Sequence, residues 1–404
     1  MDSFAPAPPP PTPLGRYRTL SSTAGIRVSP FQLGAMSIGS AWSGGLGAMD
    51  QAAAFALLDA YVAAGGNFID TANNYQNEES ERWIGEWMAA RGGIRDHLVL
   101  ATKYTGLYKP RSCSGSMAAT DERSTTTTTT PPYPLPLVNF SGNHRRSLHL
   151  SLHDSLTKLR TSYIDILYVH WWDSTCSIEE IMDSLHTVIQ QGKVMYLGIC
   201  NAPAWVVSAA NTYARLQGKT PFSIYQGRWN VLHRDLEREV LPMARRFGMA
   251  VAPWDVLGGG KFQTAEAMAA RRKRGESLRT MMGGDGGQTE EEVRMSEALS
   301  QVAKEHGMTS VTAVALAYVL AKAPNVFPVV GGRKVEHLME NLQGLELRLT
   351  EAQIRFLEGV RPLELGFPQN MLGEEPGVSG REGRALANAG VVDFVKNERP
   401  IGYA

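Results

Sequence analysis

The chain has 404 residues, of which 43% are hydrophobic and 20% charged. That length suits a single large α/β barrel with extensions, and the apolar share is enough for a sizeable core. Basic and acidic residues balance at 40 each, so neither nucleic acid nor a membrane is the expected partner, since both select a basic bias. Three cysteines, Cys113, Cys176 and Cys200, show no zinc spacing and no even-numbered framework. They predict a reducing, cytoplasmic setting without disulfides or a metal.

Residues 1–13 are proline-rich and are expected to be a disordered arm; they lack the basic start and apolar run of a secretory signal. Short apolar runs then alternate with helical patterns. The runs predict strands at 32–38, 67–70, 98–103, 165–170, 194–200, 223–227, 250–255 and 326–331. They are rich in Val, Ile and Leu with little polar alternation, as strands buried on both faces are. Between them, Leu148, Leu152, Leu156 and Leu159 keep a helical period behind Ser147 as N-cap. Ile178, Ile181, Met182, Leu185 and Ile189 do the same, with a Ser177/Glu180 capping box and Gly192 as the stop. Thr350 and Gln353 suggest a further box.

Eight strand–helix units predict a closed (β/α)8 barrel over 14–361, followed by a C-terminal extension at 362–404. An open doubly wound sheet is the alternative, but Gly44, Gly45 and Gly47 do not have the spacing of a nucleotide-binding turn after the first strand. Two intervals are long. Residues 111–138 include a threonine run, Thr125–Thr130, and read as a low-complexity insert, either disordered or a surface loop. The stretch after Asp255 is glycine-rich, as loops that close over ligands are.

Barrel enzymes carry their chemistry at the C-terminal strand ends. Those ends supply Asp70 with Tyr75 just beyond, Lys103, His170 with Trp171 and Trp172, Asn201, Gln226 with Trp229, Trp254 and the run Gly331-Gly332-Arg333-Lys334. A carbonyl that accepts hydride needs a proton on its oxygen. A tyrosine can give one, and a lysine ammonium nearby lowers a phenol's pKa. An aspartate keeps that ammonium charged, and a neutral histidine can polarise the carbonyl. Each residue alone has an ordinary structural explanation; their placement on successive strand ends does not.

Phe68-Ile69-Asp70-Thr71-Ala72 with Tyr75, Leu100-Ala101-Thr102-Lys103 and Leu167-Tyr168-Val169-His170 resemble the active-site segments of the aldo-keto reductases. Tyr225–Asn230 and Ala252–Phe262 are similar to the fungal aryl-alcohol dehydrogenase and norsolorinic acid reductase branch. The resemblance implies an NADPH-dependent reductase of aldehydes or ketones, reversible as an alcohol dehydrogenase, with a place in fungal secondary metabolism. It implies Tyr75 as general acid, tuned by Lys103 and Asp70, with His170 orienting the carbonyl. Asn201 and Gln226 would hold the nicotinamide carboxamide and Trp254 would stack on its ring. Gly332 would let the backbone approach a phosphate, Arg333 and Lys334 would take the 2′-phosphate, Asn341 the adenine and Lys261 the pyrophosphate.

Trp171, Trp172 and Trp229 are candidates to line an aromatic substrate pocket. Cys200 departs from the serine common in relatives and predicts an altered nicotinamide contact. Asp255 places an acid near phosphates, which would oppose binding. Two rivals remain: a cofactor-binding regulatory subunit of the same fold, and an isomerase or aldolase using Lys103 as a Schiff-base nucleophile.

Overall fold

The computed structural model describes residues 5–47, 49–109, 135–273, 278 and 286–401. A hairpin of β1 (Arg18–Ser21) and β2 (Ala24–Val28) comes first, then β3 (Gln32–Gly34), α1 (Ser43–Leu46), α2 (Gln51–Ala63), β4 (Phe68–Asp70), α3 (Glu79–Ala90) and β5 (Val99–Tyr104). Next are α4 (Arg145–Lys158), β6 (Ile164–Val169), α5 (Ile178–Gln190), β7 (Val194–Cys200), α6 (Ala204–Leu216), β8 (Phe222–Arg228), α7 (Val240–Phe247) and β9 (Ala250–Trp254). The chain continues through α8 (Ala265–Lys273), α9 (Glu290–Glu305), α10 (Val311–Lys322), β10 (Val329–Gly331), α11 (Val335–Leu342) and α12 (Glu351–Val360).

Strands β3 to β10 form one parallel sheet in the order β10-β3-β4-β5-β6-β7-β8-β9. Val326 bridges in parallel to Val251 of β9, and Gln32 N–H donates to Pro328 O at 2.8 Å, so the stretch before β10 closes the ring. The predicted strand at 326–331 is thus split: Val326 serves β9, Val329–Gly331 serves β3, and Pro328, which has no N–H, lies between. The predicted run at 32–38 pairs only over its first three residues. The other six strands sit within a residue of expectation, and 194–200 coincides.

Side chains on these strands alternate between two apolar layers, as a period of two requires. Phe68, Val99, Ala101, Ile166, Tyr168, Ile224, Ala250 and Ala252 fill the barrel interior. Ile69, Leu100, Leu167, Val169, Leu197, Ile199 and Val251 pack outward against the helices. Leu20, Ala24 and Val28 of the hairpin join the interior cluster, and Thr23 Oγ1 donates to Ser223 Oγ at 3.1 Å. The hairpin therefore plugs the N-terminal end of the barrel and leaves the C-terminal end for chemistry.

Helix ends follow the capping rules with two corrections. Thr350/Gln353 forms a complete box. Ser177 caps α5 by accepting from Glu180 N–H, but Glu180 Oε1 accepts from Arg145 N–H at 3.1 Å. The α4 cap is His144, whose Nδ1 accepts from Ser147 N–H at 3.2 Å; Ser147 lies inside the helix. Thr12 Oγ1, at the end of the N-terminal arm, donates to Ala64 O at 2.7 Å. Most of the insert, through residue 134, and the glycines at 283 and 284 lie outside the described residues. The segment after residue 361 carries two single-turn helices and is tied to α7 by an Arg245–Glu375 ion pair of 2.6 Å. Among the described residues no helix is long and apolar enough to cross a membrane.

The fully buried Tyr61 of α2 holds the first two barrel strands, its hydroxyl lying 2.9 Å from both Phe31 O and Phe68 O. Tyr61→Phe leaves these buried groups without their donor and should cost about 1–3 kcal/mol. Urea unfolding should show this as a lower midpoint at unchanged slope; an unmoved midpoint would mean the hydroxyl contributes nothing.

Candidate active site

The same alternation that fills the barrel aims the polar residues. Asp70 shares the parity of Phe68, Lys103 that of Ala101, His170 that of Tyr168 and Gln226 that of Ile224, so all four converge on the axis. Lys103 is fully buried and Asp70 is 2% exposed. Lys103 Nζ donates to Asp70 Oδ2 at 2.6 Å, to Thr71 O at 2.8 Å and to Tyr75 Oη at 3.4 Å. Its three N–H groups are thereby all used. Asp70 Oδ1 accepts from Gln226 Nε2 at 3.0 Å, which completes the carboxylate.

Burial pulls the Lys103 ammonium down, but Asp70 and Tyr75 outweigh it and its pKa moves up. It stays charged. The Tyr75 phenol is pushed up to about 12: burial raises it and Lys103 only partly offsets the rise. This corrects the expectation of a lowered phenol. The lysine does pull downward, and desolvation wins. Burial, then the Lys103 charge, holds His170 well below the ordinary imidazole range, so it is neutral. Its Nδ1 is buried without a partner. Its ring meets Tyr75 edge-on at 5.7 Å and stacks on Trp171 at 5.7 Å and 24°.

A chain of side-chain bonds continues from this core. Trp254 Nε1 donates to Asn201 Oδ1 at 3.1 Å, and Asn201 Nδ2 donates to Cys200 Sγ at 2.9 Å and His170 O at 3.3 Å. Cys200 Sγ donates to Gln226 Oε1 at 3.7 Å, and burial raises its thiol pKa, so it acts as a neutral relay between the two amides. Asn201 adopts φ 49°, which turns its amide across the strand ends. Trp254 is partly exposed beside it.

Two regions suit phosphates. Gly258, Gly259 and Gly260 all have φ near +60 to +90°, and a side chain at Gly260 would meet nothing. Gly331 and Gly332 lead into α11, whose first-turn N–H groups receive no side-chain cap from Lys334. Arg333 packs against Gly47, Lys334 is exposed, and Asn341 is buried on the face of α11 that carries Leu338. Lys261 is committed elsewhere, in a 3.0 Å ion pair with Glu292. Asp255 is not a free anion: Arg228 Nε donates to its Oδ2 at 2.7 Å, which removes the expected conflict with phosphate.

The three tryptophans part company. Trp171 is half exposed at the mouth of the site. Trp172 instead joins Ile178, Ile181, Met182, Val206 and Phe222 around a gap between the barrel wall and the helices. Trp229 is fully buried and donates from Nε1 to Glu237 Oε1 at 3.1 Å. The expectation that Trp229 lines the pocket is therefore corrected, since it is core; Trp172 is half-buried and packs against the core. Three residues not singled out in the sequence matter here. Trp42 meets Tyr75 edge-on at 6.2 Å. Gln76 is fully buried between two loops. Asn143, also fully buried, donates from Nδ2 to Thr105 Oγ1 at 2.8 Å and Trp171 O at 3.0 Å. The signal for the last two was present: an uncharged amide in an otherwise apolar or turn-rich setting must find partners.

Among the described residues no group of three or more His, Cys, Asp or Glu is placed to hold a metal ion. The neutral His170 has a pH consequence. Below the ordinary value of 6.5 the unfolded chain binds a proton that the folded site refuses, so stability falls as pH drops. Each pH unit should cost up to about 1.4 kcal/mol. The melting temperature of the wild type should therefore fall more steeply between pH 7 and 5 (about the range of imidazole titration) than that of His170→Gln. Equal slopes would contradict it.

The aldo/keto reductase family model matches residues 30–361. The chain is 57% identical over its whole length to the aldo-keto reductase ausK of Emericella nidulans, covering 96% of that protein. It is 52% identical to the aryl-alcohol dehydrogenase (NADP(+)) of Phanerodontia chrysosporium, over 93% of each chain. It is 48% identical to the norsolorinic acid reductase of Aspergillus flavus, over 92% of this chain and 87% of that one. With these matches and the eight-stranded barrel around the Asp70–Lys103–Tyr75–His170 cluster, the chain belongs to the aldo/keto reductase family and is an NADP-dependent oxidoreductase.

Proposed function

We propose that this protein reduces aromatic aldehydes or ketones with NADPH, reversibly, with Tyr75 as the proton donor. The observation that carries the reading is the buried Lys103–Asp70 pair beneath the Tyr75 hydroxyl. NADPH, when bound, supplies the hydride. As the carbonyl carbon accepts it, negative charge grows on the oxygen. An alkoxide is about as basic as hydroxide (conjugate acid near 16, as for bulk water), so a phenol of pKa about 12 still gives up its proton downhill. The phenolate left behind sits beside the Lys103 ammonium, which stabilises it. Neutral His170 donates a hydrogen bond to the same oxygen and fixes which face of the carbonyl is presented.

In this reading Trp254 stacks on the nicotinamide ring while Asn201 and Gln226 hold its carboxamide. Gly332, Arg333 and Lys334 take the 2′-phosphate at the start of α11, and Asn341 borders the adenine. Lys261 reaches the pyrophosphate only by leaving Glu292. Trp171 offers a flat wall for an aryl group. The likeness to an aryl-alcohol dehydrogenase supports that substrate class, because oxidation of an aryl alcohol yields an aryl aldehyde. The likeness to a norsolorinic acid reductase supports a place in fungal secondary metabolism. We also infer a cytoplasmic location, one barrel unit over 14–361, and extensions at 1–13 and 362–404. A Schiff-base role for Lys103 is disfavoured: the amine is charged, buried and fully hydrogen-bonded.

Oxidation of NADPH by a panel of aryl aldehydes, followed by its absorbance, tests the reading. Tyr75→Phe should lose at least about a hundredfold in kcat while its affinity for NADPH is retained. A wild type that binds NADPH and reduces nothing would favour the regulatory-subunit alternative. Because reduction needs the phenol and oxidation the phenolate, alcohol oxidation should accelerate with rising pH while reduction should not. Parallel profiles for the two directions would remove Tyr75 from the proton transfer.

A further inference from the structure

The loop after β3 and the turn after Tyr75 are fastened to each other by a set of side-chain hydrogen bonds. Gln76 is fully buried. Its Nε2 donates to Met36 O at 2.8 Å and its Oε1 accepts from Trp42 N–H at 2.7 Å. Asn77 Oδ1 accepts from Trp42 Nε1 at 3.0 Å. Glu79 Oε2 accepts from Ser40 N–H at 2.6 Å and Ala41 N–H at 3.1 Å. Gly39, at φ 139°, lies so close to Gln76 that any side chain there would collide with it.

The turn that carries these acceptors is strained. Gln76, Asn77 and Glu78 have φ of 54°, 51° and 76°, three left-handed residues in succession with no glycine among them. Such a run is costly for side-chain-bearing residues and persists only where its surroundings over-determine it. Here the surroundings are the bonds to 36–42, and what they fix is the indole of Trp42. That ring is half-buried and stands edge-on to Tyr75 at 6.2 Å and 72°. Tyr75 in turn is edge-on to His170, on which Trp171 stacks. The four rings form a row with the proton donor and the carbonyl-orienting histidine in the middle and a tryptophan at each end.

We propose that Trp42 is a specificity-determining wall of the substrate site, selecting flat fused-ring or aryl carbonyls, and that Gln76 is the positioning residue that holds it. This rests on the reductase reading above. A carbonyl whose oxygen meets Tyr75 and His170 has the indole of Trp42 beside the first and that of Trp171 beside the second, and an aromatic contact with its aryl group changes affinity by roughly two- to tenfold. Gln76 touches no substrate; its effect runs through Trp42.

The test compares KM and kcat for naphthaldehyde and butanal with NADPH. Trp42→Ala should raise KM for naphthaldehyde roughly two- to tenfold more than KM for butanal, with kcat changing much less than KM. Gln76→Met should reproduce that selective rise, and should add nothing to it in the Trp42→Ala background. Asn77→Gly, which tolerates the positive φ and removes only the indole anchor, should move KM in the same direction by less. Equal changes for both aldehydes, or additive effects of Gln76→Met and Trp42→Ala, would overturn the proposal. A wild type that reduces neither aldehyde would defeat the reductase reading instead. Calorimetric binding of naphthaldehyde to the NADPH complex then decides the wall separately: weakened by Trp42→Ala and Gln76→Met if it exists, unchanged if it does not.

Discussion

The ion pair between Lys103 and Asp70, buried at the centre of the barrel mouth, is the constraint on which the site depends. Two charges removed from water cost several kcal/mol each unless geometry and further hydrogen bonds compensate (roughly, with large variation). Here compensation is complete: the ammonium spends its donors on Asp70, Thr71 O and Tyr75, and Gln226 satisfies the other carboxylate oxygen. The pair cannot be replaced by an apolar core without removing the Lys103 cation that can stabilise a phenolate at Tyr75. Its position is inherited from the sheet, since Asp70 ends β4, Lys103 is the last residue but one of the neighbouring parallel strand β5, and both share the inward parity.

Around that pair the protein places neutral groups. His170 is uncharged because it is buried beside a lysine, and Cys200 remains a thiol because it is buried. Tyr75 remains a phenol for the same reason. Charge is confined to one compensated pair, so the charge that develops during reaction meets no competing anion. Asp255, the acid nearest the glycine loop, is neutralised by Arg228. Second-layer amides then hold the aromatic walls: Asn143 bonds the backbone of Trp171, and Gln76 that of Trp42.

Much of this was legible in the sequence. The strands announced themselves because both of their faces are buried, and the strand-end residues because period two fixes which side chains face the axis. The N-terminal hairpin escaped because β1 and β2 have mixed exposure and so lack the continuous apolar run that marks the barrel strands. Trp229 was misread although the parity rule applies to it: it follows Arg228, two residues beyond the inward Gln226, and so falls on the outer side. Trp172 was beyond the rule, since it lies past the end of β6, where the chain turns. The direction of the Tyr75 shift was not legible either, because the sequence reveals the lysine beside it but not the depth of burial opposing that lysine. Trp42 gave no signal, being brought to Tyr75 by bonds between two loops.

The central claim is that Tyr75 and Lys103 act as one proton-donating unit. Single-turnover NADPH oxidation with an aryl aldehyde should be measured for Tyr75→Phe, Lys103→Met and the double variant, with NADPH affinity confirming that each is folded. If the claim holds, the double variant is no slower than the slower single variant, because groups that act as a unit are lost together. Losses that multiply would show that the two side chains act independently and would contradict the account.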